Sequence, residues 1–335
     1  MIPQSTVPVG DRAAVGHVRR LASALAERLR FSSDAAGRLA IVVTEAAANV
    51  AKHGRDGEVV LAPAALNGQR GVDVLALDRG PGIADVERAL RDGYSTAGTA
   101  GTGLGAVVRL SDLFDVYTGR AGTVLLARVW AGRAAAVGAT DRLAVGAICI
   151  PRPGEEVCGD GWALGLTQGH STVLLVDGLG HGTGAAEAAT AAVASFRAHA
   201  ATSTPADLLT RMHAALRPTR GAAALVLALD ARQRLAIVAG VGNIAGTILS
   251  AAGNHSVASH HGIVGHEAAR IREFRYPWPA RSLVVVHTDG IGSRWSLDAY
   301  PGLSERHPLL IAGVLYRDFR RPRDDATVVV IREAA

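Results

Sequence analysis

A glutamate and an asparagine four residues apart, Glu45 and Asn49, head a group of residues suited to moving phosphate. On a helix that spacing puts both side chains on one face. A carboxylate there can take the proton of an attacking hydroxyl, and an amide oxygen beside it can ligate Mg²⁺. Leu39, Val43, Ala46 and Val50 fall on the opposite face and would pack inward. Further along, an apolar run ends in Asp78-Arg79-Gly80-Pro81-Gly82. An aspartate in that place can accept a hydrogen bond from an adenine amino group, and glycines let the base approach the backbone. Gly101-Thr102-Gly103-Leu104-Gly105 precedes a helical stretch, where open backbone N–H groups and the helix dipole favour phosphate. Each piece alone would be a solvated face or a loop. Together, in this order, they describe a site for ATP with Mg²⁺.

A second group lies in the other half. Asp160, Asp177, Asp289 and Asp324 each border an apolar, strand-like run. Asp177 follows Val173-Leu174-Leu175-Val176 and opens Asp177-Gly178-Leu179-Gly180-His181-Gly182; Asp324 precedes Thr327-Val328-Val329-Val330-Ile331. Carboxylates at the ends of adjacent strands converge on one sheet edge. Oxygen-only donors suit Mg²⁺ or Mn²⁺, and two such ions can activate a water for in-line attack on a phosphate. One Asp-Gly is an ordinary turn signal; four acids attached to apolar strands are not. His255, His260, His261 and His266 look like a transition-metal cluster, but their spacing fits no zinc pattern and reads as a surface loop. Cys149 and Cys158 are too few for a disulfide framework or a cysteine metal site, and a reducing, cytoplasmic location is expected.

These groups need elements to hold them. Asp11 is a plausible helix cap followed by Val15, Val18, Leu21, Leu25 and Leu29, and Ser32 or Ser33 opens a second helix to about His53. Residues 59–62, 72–77 and 123–130 read as strands, and 106–113 as a helix. In the second half, 143–150, 172–176, 223–229, 235–239, 245–249, 282–287 and 327–331 read as strands, and 184–200 and 205–216 as helices. Small residues without periodicity around 131–140 mark a connector, giving domains at 1–133 and 141–335 joined by 134–140. With 335 residues and 49% hydrophobic content, each half can bury a core. No run approaches the ~20 apolar residues of a membrane span, and Met1 to Gly10 lacks the pattern of a signal peptide. The basic pI of 9.7 comes with a net charge of only +5, a single lysine (Lys52) and no basic run, so neither nucleic acid nor membrane is expected as a partner.

The first group resembles the GHKL, or Bergerat-fold, ATPases: Glu45 and Asn49 match the N box, Asp78 to Gly82 the first glycine box and Gly101 to Gly105 the second. Asp92 to Gly98 with Gly105 to Asp112 is similar to RsbT-type switch serine kinases. The resemblance implies that Glu45 is the general base toward a target serine, with Mg²⁺ on Asn49 and adenine on Asp78. Gly80, Gly82, Gly101, Thr102, Gly103, Leu104 and Gly105 would line the nucleotide. Thr123 is either near the adenine or only a strand residue, and Arg109 either reaches a phosphate or lies on a helix surface. Residues 140–335 resemble the metal-dependent phosphatases of the sporulation stage II E class, in its RsbX-like branch. That implies Asp177 as the bridging ligand, the Gly178 carbonyl and Asp160 on one metal, and Asp289 and Asp324 on the other, with Asp325 a poorer candidate. The expected fold is α+β, an α/β ATPase sandwich followed by an αββα phosphatase sandwich. The implied function is a partner-switching regulator, both serine kinase and phosphoserine phosphatase, acting on STAS-type antagonist or stressosome proteins. The alternative is a nucleotide-dependent module that binds a sigma factor or another partner.

Overall fold

The two caps of the first half work as their positions predict. Asp11 accepts the Ala14 N–H and starts α1 (Arg12–Arg28); Ser32 accepts the Ala35 N–H and starts α2 (Ser33–His53). The computed structural model describes residues 3–66, 68–90, 103–132, 143–166, 171–268 and 271–334. They fall into two units. One holds the described residues of Met1–Asp141 together with Glu305–Arg317, the other those of Arg142–Ser304 with Asp318–Ala335.

In the N-terminal unit β1 (Ser5–Pro8), β2 (Glu58–Leu66), β3 (Gln69–Asp78), β4 (Leu113–Gly119) and β5 (Gly122–Trp130) form one antiparallel sheet, ordered β1-β2-β3-β5-β4. The short α3 (Val86–Ala89) and then α4 (Gly103–Leu110) lie between β3 and β4 in the chain. Val18, Leu25, Leu39, Val43, Val50 and Val107 of the helices pack on Val59, Leu61, Val74 and Leu125 of the sheet. The helix expected at 106–113 begins earlier and stops at Leu110, because Leu113 onward is drawn into β4 beside β5. Periodicity alone did not expose β4, whose seven residues mix polar and apolar on both faces.

The C-terminal unit stacks two antiparallel sheets. One is ordered β15-β10-β9-β8-β7, the other β12-β11-β16-β17-β6. In chain order these are β6 (Leu143–Ile150), β7 (Asp160–Leu166), β8 (Ser171–Gly178), β9 (Ala222–Asp230), β10 (Leu235–Val241), β11 (Ala245–Ser250) and β12 (Gly253–Ser256). A two-stranded pair, β13 (Gly262–Ile263) with β14 (Glu267–Ala268), follows; then come β15 (Phe274–Pro277), β16 (Leu283–His287) and β17 (Ala326–Glu333). Alternation along β8 builds two cores at once. Val173 and Leu175 face the second sheet with Leu225, Val284, Val286 and Val329. Leu174 and Val176 face α5 (Thr183–His199) and α6 (Pro205–Leu216) through Ala189, Ala192, Phe196, Leu208 and Met212. Among the described residues no helix is long and apolar enough to cross a membrane.

A helix not expected from the sequence is α7 (Pro308–Phe319). Its residues from Pro308 to Arg317 are all buried, so no polar stripe marks it as amphipathic. The part up to Arg317 belongs to the N-terminal unit. There Asp115 accepts the His307 N–H at 2.8 Å and an Arg306 N–H at 3.2 Å, and the Tyr316 hydroxyl lies 3.5 Å from Glu58 Oε2. A methyl group on Gly313 would stand 3.0 Å from both Leu75 Cδ2 and Val124 Cγ1. Gly313→Val is therefore expected to destabilise the protein by about 1–3 kcal/mol through overpacking. Gly313→Ala should cost less. Thermal unfolding of the two variants beside the wild type checks the order.

Candidate active sites

In the N-terminal unit α2 turns Leu39, Val43, Ala46 and Val50 into the core and leaves Glu45 and Asn49 half-buried on its other side. The first residue of α4 lies over that pair: a methyl group on Gly103 would be 3.6 Å from Glu45 Oε2 and 3.7 Å from Asn49 Oδ1. A larger residue at 103 would fill the space above the carboxylate. Asn49 Nδ2 is buried and has no hydrogen-bond partner among the described residues, an unmet donor that suits an acceptor such as a phosphate oxygen. Leu104 and Gly105 continue α4, while Gly101, Thr102 and the segment Asp92 to Gly98 lie outside the described residues. Arg109 is exposed on the last turn of α4.

Asp78 ends β3 directly opposite Thr123 of β5. Its Oδ1 accepts the Gly80 N–H at 2.7 Å. Burial raises its pKa, while hydrogen bonds from the Gly80 and Thr123 backbones and the charge of Arg317 act against that rise. The Thr123 and Thr118 hydroxyls are 3.0 Å apart, and Thr118 accepts the Ile83 N–H at 2.8 Å, which ties the glycine turn to β4. Gly82 has φ +81°, and a side chain there would strike the Gly119 carbonyl. Sequence reasoning missed Arg317. Its guanidinium donates to the Asp78 carbonyl at 3.3 Å, and Arg79 donates to the Arg317 carbonyl. No local pattern could signal a partner 239 positions away.

In the C-terminal unit Asp160 and Asp177 face each other across the β7–β8 ladder. A cleft of about 260 Å³ opens beside them, lined by Asp177, Leu179, Gly180, His181, Ala223, Asn243, Asp289, Arg323 and Asp324. Asp160 is not part of that lining; it is buried and accepts the Thr288 hydroxyl at 2.8 Å. Asp324 and Asp325, adjacent in sequence, do different work. Asp324 faces the cleft, whereas Asp325 turns inward and accepts the N–H groups of Arg152 at 2.8 Å and Gly159 at 2.9 Å. Asn243 donates to Asp289 at 2.8 Å, and Arg323 borders Asp324; neither was singled out as a site residue from the sequence. His181 lies 2.8 Å from Glu155. The four histidines from His255 to His266 do not form a cluster: His255 and His261 are exposed, His260 packs on Phe274 at 5.2 Å and His266 reaches the Thr219 carbonyl at 3.0 Å.

Electrostatics sets this cleft apart. Burial and then the charges of Asp289, Asp324 and Asp325 push Asp177 from 3.8 to about 7. Burial and then Asp177 push Asp160 well above its ordinary value; burial and then Asp324 raise Asp289. Acids held together this way call for a proton or a cation. As placed, no three acidic, histidine or cysteine side chains among the described residues close around one point. The donor set is nonetheless all oxygen, as Mg²⁺ and Mn²⁺ prefer: Asp177, Asp289 and Asp324 at the cleft, with the Gly178 carbonyl adjoining.

Residues 10–129 match the family described as histidine kinase-like ATPase domain. The serine/threonine-protein kinase RsbT of Bacillus subtilis (strain 168) is 32% identical over 116 residues, which is 35% of this chain and 87% of that protein. The chain belongs to the RsbT family. Residues 167–333 match the stage II sporulation protein E (SpoIIE) family, so the RsbT-like part is followed by a SpoIIE domain. A structure from work on the bacterial stressosome as a modular system adapted to control secondary messenger signalling is 31% identical. It covers 57% of this chain and 99% of that one, with a TM-score of 0.53. RsbX in complex with magnesium, 20% identical over 57% of this chain and 96% of its own, shares the fold at a TM-score of 0.50. These families imply use of ATP and of divalent metal in general.

The raised carboxylates of the SpoIIE domain have a measurable consequence. A proton held by Asp177 up to about pH 7 is held only to about 3.8 when the chain unfolds. The folded state then binds the extra proton, so this contribution to stability is full below about pH 4 and is lost as pH rises through about 7. A divalent cation takes the proton's place. Metal-free protein is expected to melt several degrees lower at about pH 8 than at about pH 5, and Mn²⁺ should restore the difference at the higher pH. Calorimetry with and without chelator reads both.

Proposed function

We propose that this chain is a bifunctional partner-switching regulator. Its RsbT-like unit phosphorylates a serine on a STAS-type antagonist or stressosome protein, and its SpoIIE domain removes phosphate from such a target. The reading rests on one observation above the rest: one chain carries Glu45 and Asn49 under Gly103 and, in its other half, Asp177, Asp289 and Asp324 lining one cleft. The kinase name of the relative and the stressosome setting of the similar structure support it. A binding-only role would not need Glu45 beside the space that a terminal phosphate would occupy.

In the kinase step Glu45 takes the proton of the serine hydroxyl as its oxygen attacks the terminal phosphorus of ATP and ADP leaves. Asn49 Oδ1 would hold Mg²⁺, and its Nδ2 would donate to a phosphate oxygen. Asp78 accepts from the adenine amino group, with Thr123 and Thr118 fixing the strand ends beside it. In the phosphatase two Mg²⁺ or Mn²⁺ ions, when bound, supply positive charge and an activated water. Asp177 would be shared by the ions, with Asp289 and Asp324 to hold one and the Gly178 carbonyl and Asp160 to hold the other. Asn243 fixes the Asp289 carboxylate, and Arg323 holds the phosphate of the incoming phosphoserine. His181, oriented by Glu155, gives the departing serine its proton.

Glu45→Ala in the full chain should still bind ATP but lose phosphate transfer by ~10²–10⁴-fold, the usual cost of removing a general base. Transfer of labelled phosphate to a STAS protein measures it, and wild-type rates would place the base elsewhere. Asp177→Asn should abolish Mn²⁺-dependent release of phosphate from the phosphorylated STAS protein. It should also raise the steady-state phosphorylation that the intact chain achieves with ATP. Phosphate release that survives chelation would refute the two-metal mechanism.

A further inference from the structure

The chain has only two cysteines, and they touch. Cys149 lies on β6, opposite Thr327 of β17; Cys158 ends the connector that leads into β7. Their sulfurs are 3.6 Å apart, unbridged, and both residues are partly exposed to solvent. Two cysteines placed independently among 335 residues would seldom meet. The kinase and phosphatase chemistry uses neither.

We propose that Cys149 and Cys158 form an oxidative modification site, a dithiol that a hydroperoxide converts to a disulfide beside the metal-binding carboxylates. The two thiols give up two protons and two electrons as the S–S bond forms. With hydrogen peroxide as oxidant the O–O bond breaks, and those protons and electrons leave in two molecules of water. Closing the sulfurs from 3.6 Å to the ~2.05 Å of a disulfide asks for a movement of about 1.5 Å. The connector allows an approach of this kind because both of its ends are already held by one carboxylate, Asp325, beside the end of β6. The Asp325 carboxylate accepts from Arg152 at one end and from Gly159 at the other, which returns the chain to the strand it left.

The same ties carry the movement to the cleft. Gly159 follows Cys158 directly. Its carbonyl accepts the Gly178 N–H at 3.0 Å, and a methyl group on it would sit 2.7 Å from both Asp325 Oδ2 and Ala185 Cβ. Gly159 therefore cannot shift without displacing Gly178 or Asp325. Asp160 comes next, and its carbonyl is 3.7 Å from the Cys149 sulfur. The disulfide draws this segment toward β6 and away from the geometry that sets Asp160 and Gly178 against Asp177. Groups that orient metal ligands typically matter by 10–100-fold in affinity or activity. The effect on turnover rests on the phosphatase reading; the bridge itself does not.

The test uses the full-length protein with Mn²⁺, treated with stoichiometric hydrogen peroxide and then digested without reductant. The expected result is one cross-linked peptide pair joining Cys149 to Cys158, lighter by two hydrogens and separated again by dithiothreitol. Release of phosphate from a phosphoserine protein at limiting Mn²⁺ should fall about tenfold on oxidation and return on reduction. C149S and C158S should yield no cross-link and keep their turnover under the same peroxide. Sulfinic or sulfonic acid on single cysteines without the cross-link, or two thiols still fully alkylated after treatment, would overturn the site. A cross-link that leaves turnover and its Mn²⁺ dependence unchanged would overturn its coupling to the cleft. If reduced protein shows no phosphatase activity at all, the phosphatase reading fails while the mass measurement still decides the bridge.

Discussion

Like charges confined to one sheet edge are what the C-terminal unit has to support. Asp160 and Asp177 oppose each other in the β7–β8 ladder, and Asp289 and Asp324 approach from the ends of other segments. Nothing in the carboxylates themselves favours this arrangement; burial first, and then the neighbouring charges, raise their pKa values. Two stacked sheets with cores on both faces of β8 hold them there. The backbone around them is fixed by hydrogen bonds to neighbouring side chains. Asp325 is turned away from the cleft and spent on two backbone N–H groups. Thr288 donates to Asp160 and accepts the Thr327 N–H, linking the two sheets through one hydroxyl.

The N-terminal unit meets a milder demand with different means. One carboxylate and one amide stand on a helix face, and the glycine turn after β3 is pinned by the Gly80 N–H on Asp78 and the Ile83 N–H on Thr118. Its unusual feature is Arg317, a buried residue from far along the chain that donates to the Asp78 carbonyl. The bond closes the C-terminal end of α7 onto the end of β3 within one unit. A short motif around Asp78 therefore depends on an element outside the motif.

What was legible in the sequence was what is decided locally. Asp11 and Ser32 cap their helices by bonds to residues three positions on, and the alternation along β8 and β17 is written in consecutive residues. Glu45 and Asn49 share a face because helical spacing requires it. What escaped was decided by distant partners. Helix α7 has no polar side, so its pattern is indistinguishable from a buried strand followed by loop. Strand β4 exists because β5 pairs with it. Asp324 and Asp325 are adjacent in the chain, and their separate duties follow from where Arg152 and Gly159 lie. Cys149 and Cys158 looked like two isolated residues because contact between β6 and the connector before β7 is a property of the folded sandwich.

The two sites also differ in how much negative charge the protein supplies, and the substrates proposed for them explain the difference. ATP brings its own phosphate oxygens to Mg²⁺, so the protein need add only one or two ligands. On the proposed reading a single acid and an amide would suffice, and Glu45 would be left for proton transfer. A phosphoserine brings one phosphate, and the ions that activate the attacking water must be in place beforehand. The protein then has to provide most of the oxygen ligands itself, which requires several carboxylates within a few ångströms. The crowded aspartates of the cleft and the sparse face of α2 are thus two answers to one question, namely whether the metal arrives with the substrate or waits for it.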